Sequence, residues 1–329
     1  MSHPVRIAVV GCGRISQSYF QALRGIDEVV VAAVVEPRES SGRAAAEENH
    51  CQWLEDFRDP SLVQNIDAVI VSAPPNVHHP ISKHFLERGR HVLCEKPFSL
   101  GSHEAIDLVN SATERERVLM MASKFRYVAD VIKAKSIIEA GILGDIILYE
   151  NTFCGRVPMA DRWNSDAKIA GGGVLIDNGS HSADIARYLL GPVREVQAVF
   201  GPRTQRLDVE DTATLRFRTA EGVNGTIDLS WSINKEMDTY ISVYGSEGTL
   251  HVGWKESRYR QEGNPNWISF GKGYDKLAAL RGQITNFVGT IRGKAMPLIT
   301  PNDGLASVQV IEAGYASANK DNWLSVESR

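Results

Sequence analysis

The chain has 329 residues, of which 43% are hydrophobic and 23% charged, and its formal charge is -4. That length exceeds what a single hydrophobic core usually serves, so two domains are expected. The mild negative charge, with no long run of like charges, argues against a nucleic-acid partner.

Short apolar runs alternate with amphipathic stretches over the first third. The runs Val5–Val10, Val29–Val35, Asp67–Ser72, His91–Glu95 and Val118–Ala122 read as strands covered on both faces. Helical spacing separates them at Ser16–Leu23, Ser40–Asn49, Val77–Arg88 and Ser102–Glu114. Such alternation predicts parallel βαβ units in a doubly wound sheet. After Gly144 the rhythm changes. Strand patterns at Ile146–Phe153, Glu195–Phe200, Thr212–Arg218, Gly225–Ser232 and Thr239–Tyr244 surround a helix over Leu175–Leu190, with a hairpin turn at Gly245–Gly248. Helical spacing returns at Asp275–Arg292 and Asn302–Asn319. The whole reads as an α/β chain: a dinucleotide-binding Rossmann domain over 1–124, then an α+β domain over 125–301.

No stretch of about 18 uninterrupted apolar residues marks a membrane span. The strand pattern beginning at Val5 leaves no room for a signal peptide. Cys12, Cys51, Cys94 and Cys154 have neither the density of a disulfide framework nor metal-ligand spacing. A reduced, cytoplasmic protein without a metal is the expectation.

Strand, then Gly11-Cys12-Gly13-Arg14-Ile15-Ser16, then helix is the order of a dinucleotide fingerprint. Its glycines permit the tight turn and let backbone approach a pyrophosphate at the helix N-terminus. Ser16 stands where a third glycine is usual, and is small enough for close helix packing. Glu36 closes the second strand, where a carboxylate can accept hydrogen bonds from adenosine ribose hydroxyls and repel a 2′-phosphate. That favours NAD, although Arg38 is placed to grip such a phosphate, so NADP stays open. Ala73, Pro74 and Asn76 follow the third strand and border the cofactor by the same strand-end rule. Asn76 also suits a helix cap. His78 and His79 stand near the expected ribose, with a surface position the plain alternative.

Glu95-Lys96-Pro97 puts a lysine at the same edge. Beside a cationic cofactor and an apolar substrate face, its charged form is disfavoured, which suits proton transfer. A salt bridge is the alternative. In Gly171-Gly172-Gly173-Val174-Leu175-Ile176-Asp177-Asn178-Gly179-Ser180-His181, helical geometry puts Asp177 and His181 on one face, a plausible proton-transfer pair. Asp184, three residues on, could bond the imidazole or pack internally. The three glycines would let backbone approach a substrate, and Gly179 inside the helix implies a tight contact.

These motifs together resemble the glucose-fructose oxidoreductase, inositol dehydrogenase and rhizopine-catabolism (Gfo/Idh/MocA) family. The resemblance rests on Gly11-Cys12-Gly13, Pro74-Pro75-Asn76 with His78, Glu95-Lys96-Pro97, Arg126, Gly141–Gly144, and Asp177-x-Gly179-x-His181-x-x-Asp184. It implies a C-terminal α+β domain with a large open, mostly antiparallel sheet, and a final helix, about 302–319, packing back on the Rossmann domain. It also implies Lys96, Asp177 and His181 as catalytic residues that contact substrate, with the lysine and histidine handling the proton. Arg126 joins them at the substrate, and Arg162 and Trp163 lie in the loop where relatives vary. The implied activity is NAD-dependent hydride transfer to or from a secondary alcohol of a sugar, cyclitol or nucleotide-sugar. The alternatives are an NAD-dependent glycoside hydrolase and a non-catalytic dinucleotide-sensing regulator. A homodimer or homotetramer joined through the C-terminal sheet is also implied.

Overall fold

A computed structural model describes residues 3–235 and 237–326. The chain forms two compact units. One runs to Lys124 and takes in Lys276–Leu305; the other comprises Phe125–Asp275 and the chain from Ala306 onward.

The first unit holds a parallel sheet of six strands: β1 (Val5–Val10), β2 (Val29–Val35), β3 (Gln52–Leu54), β4 (Ala68–Val71), β5 (His91–Glu95) and β6 (Leu119–Ala122). They lie in the order β3-β2-β1-β4-β5-β6, every pairing parallel. β4, β5 and β6 are apolar along nearly their whole length because helices cover both faces, and Val69, Ile70, Val92 and Met120 are fully buried. The strand order reverses between β1 and β4, and ligands of open parallel sheets bind beyond the strand ends at such a point. Gly11 follows β1, and Ser72 follows β4.

The second unit holds nine strands: β7 (Ile146–Cys154), β8 (Val193–Phe200), β9 (Thr212–Thr219), β10 (Asn224–Ser230), β11 (Thr239–Gly245), β12 (Gly248–Gly253), β13 (Ser257–Gln261), β14 (Ile268–Gly271) and β15 (Leu324–Ser325). Their order is β14-β13-β12-β11-β7-β10-β9-β8-β15, and among the described residues only β7 and β10 pair in parallel. Side chains alternate across this sheet. Leu215, Phe217, Ile227 and Leu229 are buried on one face, under the helix Val174–Leu190. On the other face Thr214 bonds Asp228, and Tyr244 bonds Glu150. This is the large, mostly antiparallel sheet that the sequence implied.

The unit boundaries differ from the sequence reading after Asp275. The helix Lys276–Ile291 belongs to the first unit, not to the α+β domain. Its Gln283 donates to the Tyr19 hydroxyl at 3.0 Å, and Arg281 lies against Gly25. The last helix, Pro301–Lys320, starts in the first unit with Gly304 against Phe98. From Ala306 on it belongs to the second unit, where Ser317 Oγ accepts the Ala198 N–H and Gly314 packs on Leu215. The stretch 302–319 was expected to pack on the Rossmann domain; only its residues up to Leu305 group with that unit. No helix among the described residues is long and apolar enough to cross a membrane.

Candidate active site

The glycine turn is shaped by two different needs. Gly11 has φ +94°, and a Cβ there would fall 2.8 Å from the Ser72 carbonyl oxygen, so the protein itself requires glycine. Gly13 has ordinary backbone angles, and a Cβ there would meet no described atom within 4 Å. Packing within the chain gives no reason for a glycine at 13; a ligand lying against the backbone does. The helix that follows, Arg14–Leu23, starts with Arg14 and Ile15, and no described side chain caps it. Its N–H groups therefore face the same space, which fits a dinucleotide pyrophosphate. Ser16 is fully buried; its hydroxyl donates to the Gly11 carbonyl at 2.6 Å and lies 3.0 Å from Ser72 Oγ. A small side chain with a satisfied hydroxyl thus takes the place of a third glycine.

Glu36 is buried and braces this turn. Its carboxylate accepts the Cys12 N–H at 2.9 Å, the Arg38 N–H at 3.2 Å and Arg38 Nε at 2.7 Å. Burial raises its pKa, but these donors outweigh burial and hold the group below the usual carboxylate range. Arg38 is folded onto Glu36 through Nε, and its side chain stays 67% exposed. Burial, with Glu36 alongside, pushes the Cys12 thiol up to about 12, which keeps it neutral.

Ala73 and Pro74 are half-buried beyond β4. Asn76 lies exposed in the 3-10 turn Pro75–Val77 and does not cap the helix His78–Glu87, whose N-cap is Val77. His79, expected near the cofactor, turns to the neighbouring helix, where its Nε2 lies 2.6 Å from Asp107 and Lys83 shares the same carboxylate. His78 is buried and joins two loops: Nδ1 is 2.7 Å from the Pro97 carbonyl and Nε2 is 2.8 Å from the Ala73 carbonyl. Two carbonyls require two N–H donors, hence an imidazolium. Burial opposes that charge, but Cys94 and the carbonyls outweigh it and raise the pKa to about 9.

Glu95 ends β5 as a buried carboxylate that accepts from the Tyr19 hydroxyl at 2.7 Å and from the Lys96 N–H at 3.1 Å. Its contact with the Lys96 N–H holds the backbone of the lysine. Lys96 is half-buried beside it and precedes Pro97 through a cis peptide.

In the second unit, Asp177 and His181 stand one turn apart on the helix Val174–Leu190, Asp177 half-buried and His181 buried. The His181 ring meets the Phe125 ring edge-on at 5.1 Å. Asp184 is fully buried and held by Arg126, with Nη2–Oδ1 at 2.6 Å and Nε–Oδ2 at 2.9 Å. Arg126 itself is buried, with Tyr188 under its guanidinium. This buried ion pair ties Arg126 to the helix that carries Asp177 and His181. Arg162 is half-buried and Trp163 is exposed at the loop turn Trp163–Ser165.

The glycines before this helix serve the protein. A Cβ at Gly173 would fall 1.9 Å from the Glu210 carbonyl oxygen, and one at Gly172 would fall 2.0 Å from the Tyr315 hydroxyl. The Glu210 carboxylate accepts the N–H groups of Gly173 and Leu175, each at 3.0 Å, and the Tyr315 hydroxyl at 2.7 Å. Gly179 likewise packs on Leu229, Leu175 and Ile311. Glu210 and Tyr315 escaped the sequence reading because their link to this helix spans long sequence separations and carries no motif.

Residues 5–123 match the model of the oxidoreductase family with an NAD-binding Rossmann fold, and residues 131–251 match the GFO/IDH/MocA C-terminal domain. A myo-inositol 2-dehydrogenase of Thermotoga maritima is 28% identical over 75% of this chain and 74% of that protein. The rhizopine catabolism protein MocA of Rhizobium meliloti is 26% identical over 96% of both. The structure of a levoglucosan dehydrogenase in complex with NADH has the same fold, with a TM-score of 0.92 at 21% identity over 99% of this chain and 100% of that one.

Proposed function

This chain belongs to the GFO/IDH/MocA oxidoreductase family, and from that premise we propose that it interconverts a secondary alcohol and a ketone on a sugar, cyclitol or nucleotide-sugar. The first unit is the NAD-binding Rossmann fold of that family. Oxidation of a CH–OH group to C=O releases a hydride and a proton. The bound nicotinamide supplies the acceptor for the hydride, and side chains of the protein must take the proton.

Lys96 and His181 are assigned to the carbinol oxygen, where they bind it and move its proton, and Asp177 orients the substrate beside His181. The observation that carries this reading is how tightly each group is held. Glu95 fixes the backbone of Lys96, and Glu210 fixes the first turn of the helix bearing Asp177 and His181. Preorganised side chains of this kind suit catalysis more than passive sensing of a dinucleotide. Trp163 and Arg162 remain candidates for substrate choice. The relatives named for inositol and rhizopine support a polyhydroxylated substrate.

The test is turnover. Purified protein with NAD or NADP is offered cyclitols, aldoses, sugar acids and nucleotide-sugars, and formation of the reduced cofactor is followed. Reduction with at least one class supports the reading. Tight NADH binding with no reduction across the panel rejects it.

A further inference from the structure

The loop that carries Arg162 and Trp163 leaves the sheet of the second unit at the end of β7, and one side chain governs how it leaves. Just beyond β7 the chain stays bonded to the end of β10. The Gly155 N–H donates to the Ser230 carbonyl at 3.0 Å, and the Val157 N–H to the Trp231 carbonyl at 2.8 Å. Pro158 then interrupts the ladder, because proline has no N–H to give. The polar groups on either side of it go to Gln205. Its Nε2 donates to the Val157 carbonyl at 3.0 Å and to the Trp231 carbonyl at 3.1 Å, with Ser232 Oγ at 3.2 Å. Its Oε1 accepts the Met159 N–H at 3.0 Å. Two carbonyls at one end of the amide and an N–H at the other fix its orientation. The carboxamide takes the place of a partner strand where the loop turns away.

Gln205 is itself held. Its N–H donates to Asp211 Oδ2 at 2.7 Å, beside the Thr204 N–H at 2.8 Å and the Ser232 hydroxyl at 2.7 Å, and its carbonyl accepts the Leu207 N–H at 2.8 Å. Asp211 is buried. Burial pushes its pKa up, but the Gln205 N–H, the Ser232 hydroxyl and the Thr204 N–H outweigh burial and hold it below the usual carboxylate range. Asp211 adjoins Glu210, and the two carboxylates serve different segments. Glu210 takes the N–H groups of Gly173 and Leu175, where the helix of Asp177 and His181 begins. Asp211 reaches Met159 through Gln205. The segment from Met159 to Gly173, with Arg162 and Trp163 in it, is therefore tied at both ends to one dipeptide immediately before β9. A loop held in this way to the end of a sheet presents its side chains in a fixed place, as recognition requires.

We propose that Gln205 is a positioning residue for substrate selection: its amide sets the path of the loop that presents Arg162 and Trp163. This rests on the assignment of Arg162 and Trp163 to substrate choice. Gln205 touches no reacting atom and acts only through the backbone at Val157 and Met159. Loosening it changes how well different polyols are held, and leaves the proton transfer assigned to Lys96 and His181 intact, because Glu210 still fixes the start of the His181 helix.

The experiment compares the full chain as wild type, Gln205→Met and Gln205→Glu. Methionine keeps the length and bulk of the side chain and loses its hydrogen bonds. Glutamate keeps an acceptor for the Met159 N–H but sets a carboxylate against two carbonyls until protonation returns a donor. Amide hydrogen exchange over residues 157–165 is expected to speed up about tenfold in Gln205→Met. Exchange over the helix Val174–Leu190 stays unchanged. Steady-state rates with NAD and myo-inositol, D-xylose or D-glucose supply the functional readout. In Gln205→Met, KM for the preferred probe should rise about tenfold and the spread of kcat/KM across the three should narrow. Both kcat and NADH affinity should stay within about twofold of wild type. In Gln205→Glu the KM defect, taken as a ratio to wild type, should shrink as pH falls through the titration of the new carboxyl group. Unchanged loop exchange, faster exchange with KM and selectivity unaltered, or a loss confined to kcat overturns the proposal. Failure of the dehydrogenase reading is seen separately, as no NAD reduction by wild type with any probe. Calorimetric binding of the same probes with NADH bound then replaces KM, and binding that is absent, or equal in wild type and Gln205→Met, overturns the proposal as well.

Discussion

The Glu210 carboxylate accepts the Gly173 backbone N–H at 3.0 Å, and thereby ties a strand-side acid to the first turn of the helix that carries Asp177 and His181. Burial pushes the Glu210 pKa up, and the Tyr315 hydroxyl with the Leu175 and Gly173 N–H groups pulls against it. A helix start leaves N–H groups unsatisfied, and here a carboxylate from elsewhere in the fold satisfies two of them.

Gly173→Ala is expected to cost about 2–3 kcal/mol of stability, because a methyl group cannot share the space of the Glu210 carbonyl oxygen. Tyr315→Phe should lower kcat several-fold with a smaller loss of stability, since it loosens the carboxylate without adding bulk. Urea unfolding and steady-state kinetics on both variants check this. Wild-type stability in Gly173→Ala would mean that the helix start does not need the Glu210 contact.

The bridge made by His78 gives a pH dependence with a definite sign. Its pKa is raised from 6.5 to about 9 in the folded protein. A raised value in a base means that folding favours the protonated form. The contribution is therefore complete below pH 6.5 and is lost as pH rises through about 9. It amounts to something on the order of 3 kcal/mol. The unfolding midpoint should fall across that window, and NAD affinity should fall with it if the two tethered loops border the cofactor as proposed. His78→Gln should be less stable at pH 6 and much flatter with pH. An unchanged slope in the variant would assign the transition to another group.

Arg126 and Asp184 supply a test that separates structure from substrate binding. Removing one partner of a buried pair leaves an uncompensated charge, so Arg126→Leu should cost about 3–5 kcal/mol. The double variant Arg126→Leu with Asp184→Leu should regain part of the loss, because both charges are then gone. A raised KM with an unchanged unfolding midpoint would return Arg126 to the substrate-binding role that the resemblance implied.

Glu36 and Arg38 are the proposed determinants of cofactor choice. The buried carboxylate is kept ionised by Arg38 and Cys12, and a 2′-phosphate brought close to it is repelled. Arg38 spends its Nε on Glu36 and so answers that repulsion only in part. NADH should bind at least about tenfold more tightly than NADPH, and Glu36→Ser should narrow the gap mostly by improving NADPH. Fluorescence titration with both reduced cofactors measures the ratio. Tighter NADPH binding in the wild type would mean that the outward face of Arg38 prevails.

The Rossmann unit was legible because its signals are local: apolar strand runs, helix spacing and the turn at Gly11-Cys12-Gly13. β13 and β14 were missed because Ser257–Gln261 and Ile268–Gly271 lie at the exposed end of the sheet, β14 as its edge strand, with arginine, glutamine and serine interrupting any apolar alternation. The helix Ala129–Glu139 was missed because it has only a weak apolar stripe, with Asp130 buried on it for a purpose visible only once Gly273 and Ser257 are beside it. The candidate catalytic residues sit in motifs and could be named from the sequence. Their supports could not: Glu210, Tyr315, Gln283 and Tyr19 act across 35 to 264 positions of sequence. The Gly172-Gly173 pair, expected to leave space for a substrate, is instead packed against Tyr315 and Glu210.

Lys96 is the residue on which the dehydrogenase reading can be tried most directly. Its backbone N–H is held by Glu95, and Glu95 in turn is held by Tyr19 and, through Tyr19, by Gln283. If the ammonium group serves the carbinol, Lys96→Ala should lower kcat by about 10²–10⁴-fold and leave NADH affinity within a few-fold of wild type. Tyr19→Phe should reproduce a fraction of that loss, since it frees Glu95 without touching the lysine side chain. Lys96→Arg keeps the charge but not the compact donor, and should recover binding of the substrate more than its turnover. Single-turnover kinetics with saturating NAD separate the two effects. Equal turnover in Lys96→Ala and wild type would remove Lys96 from the reaction and leave His181 to handle the proton alone.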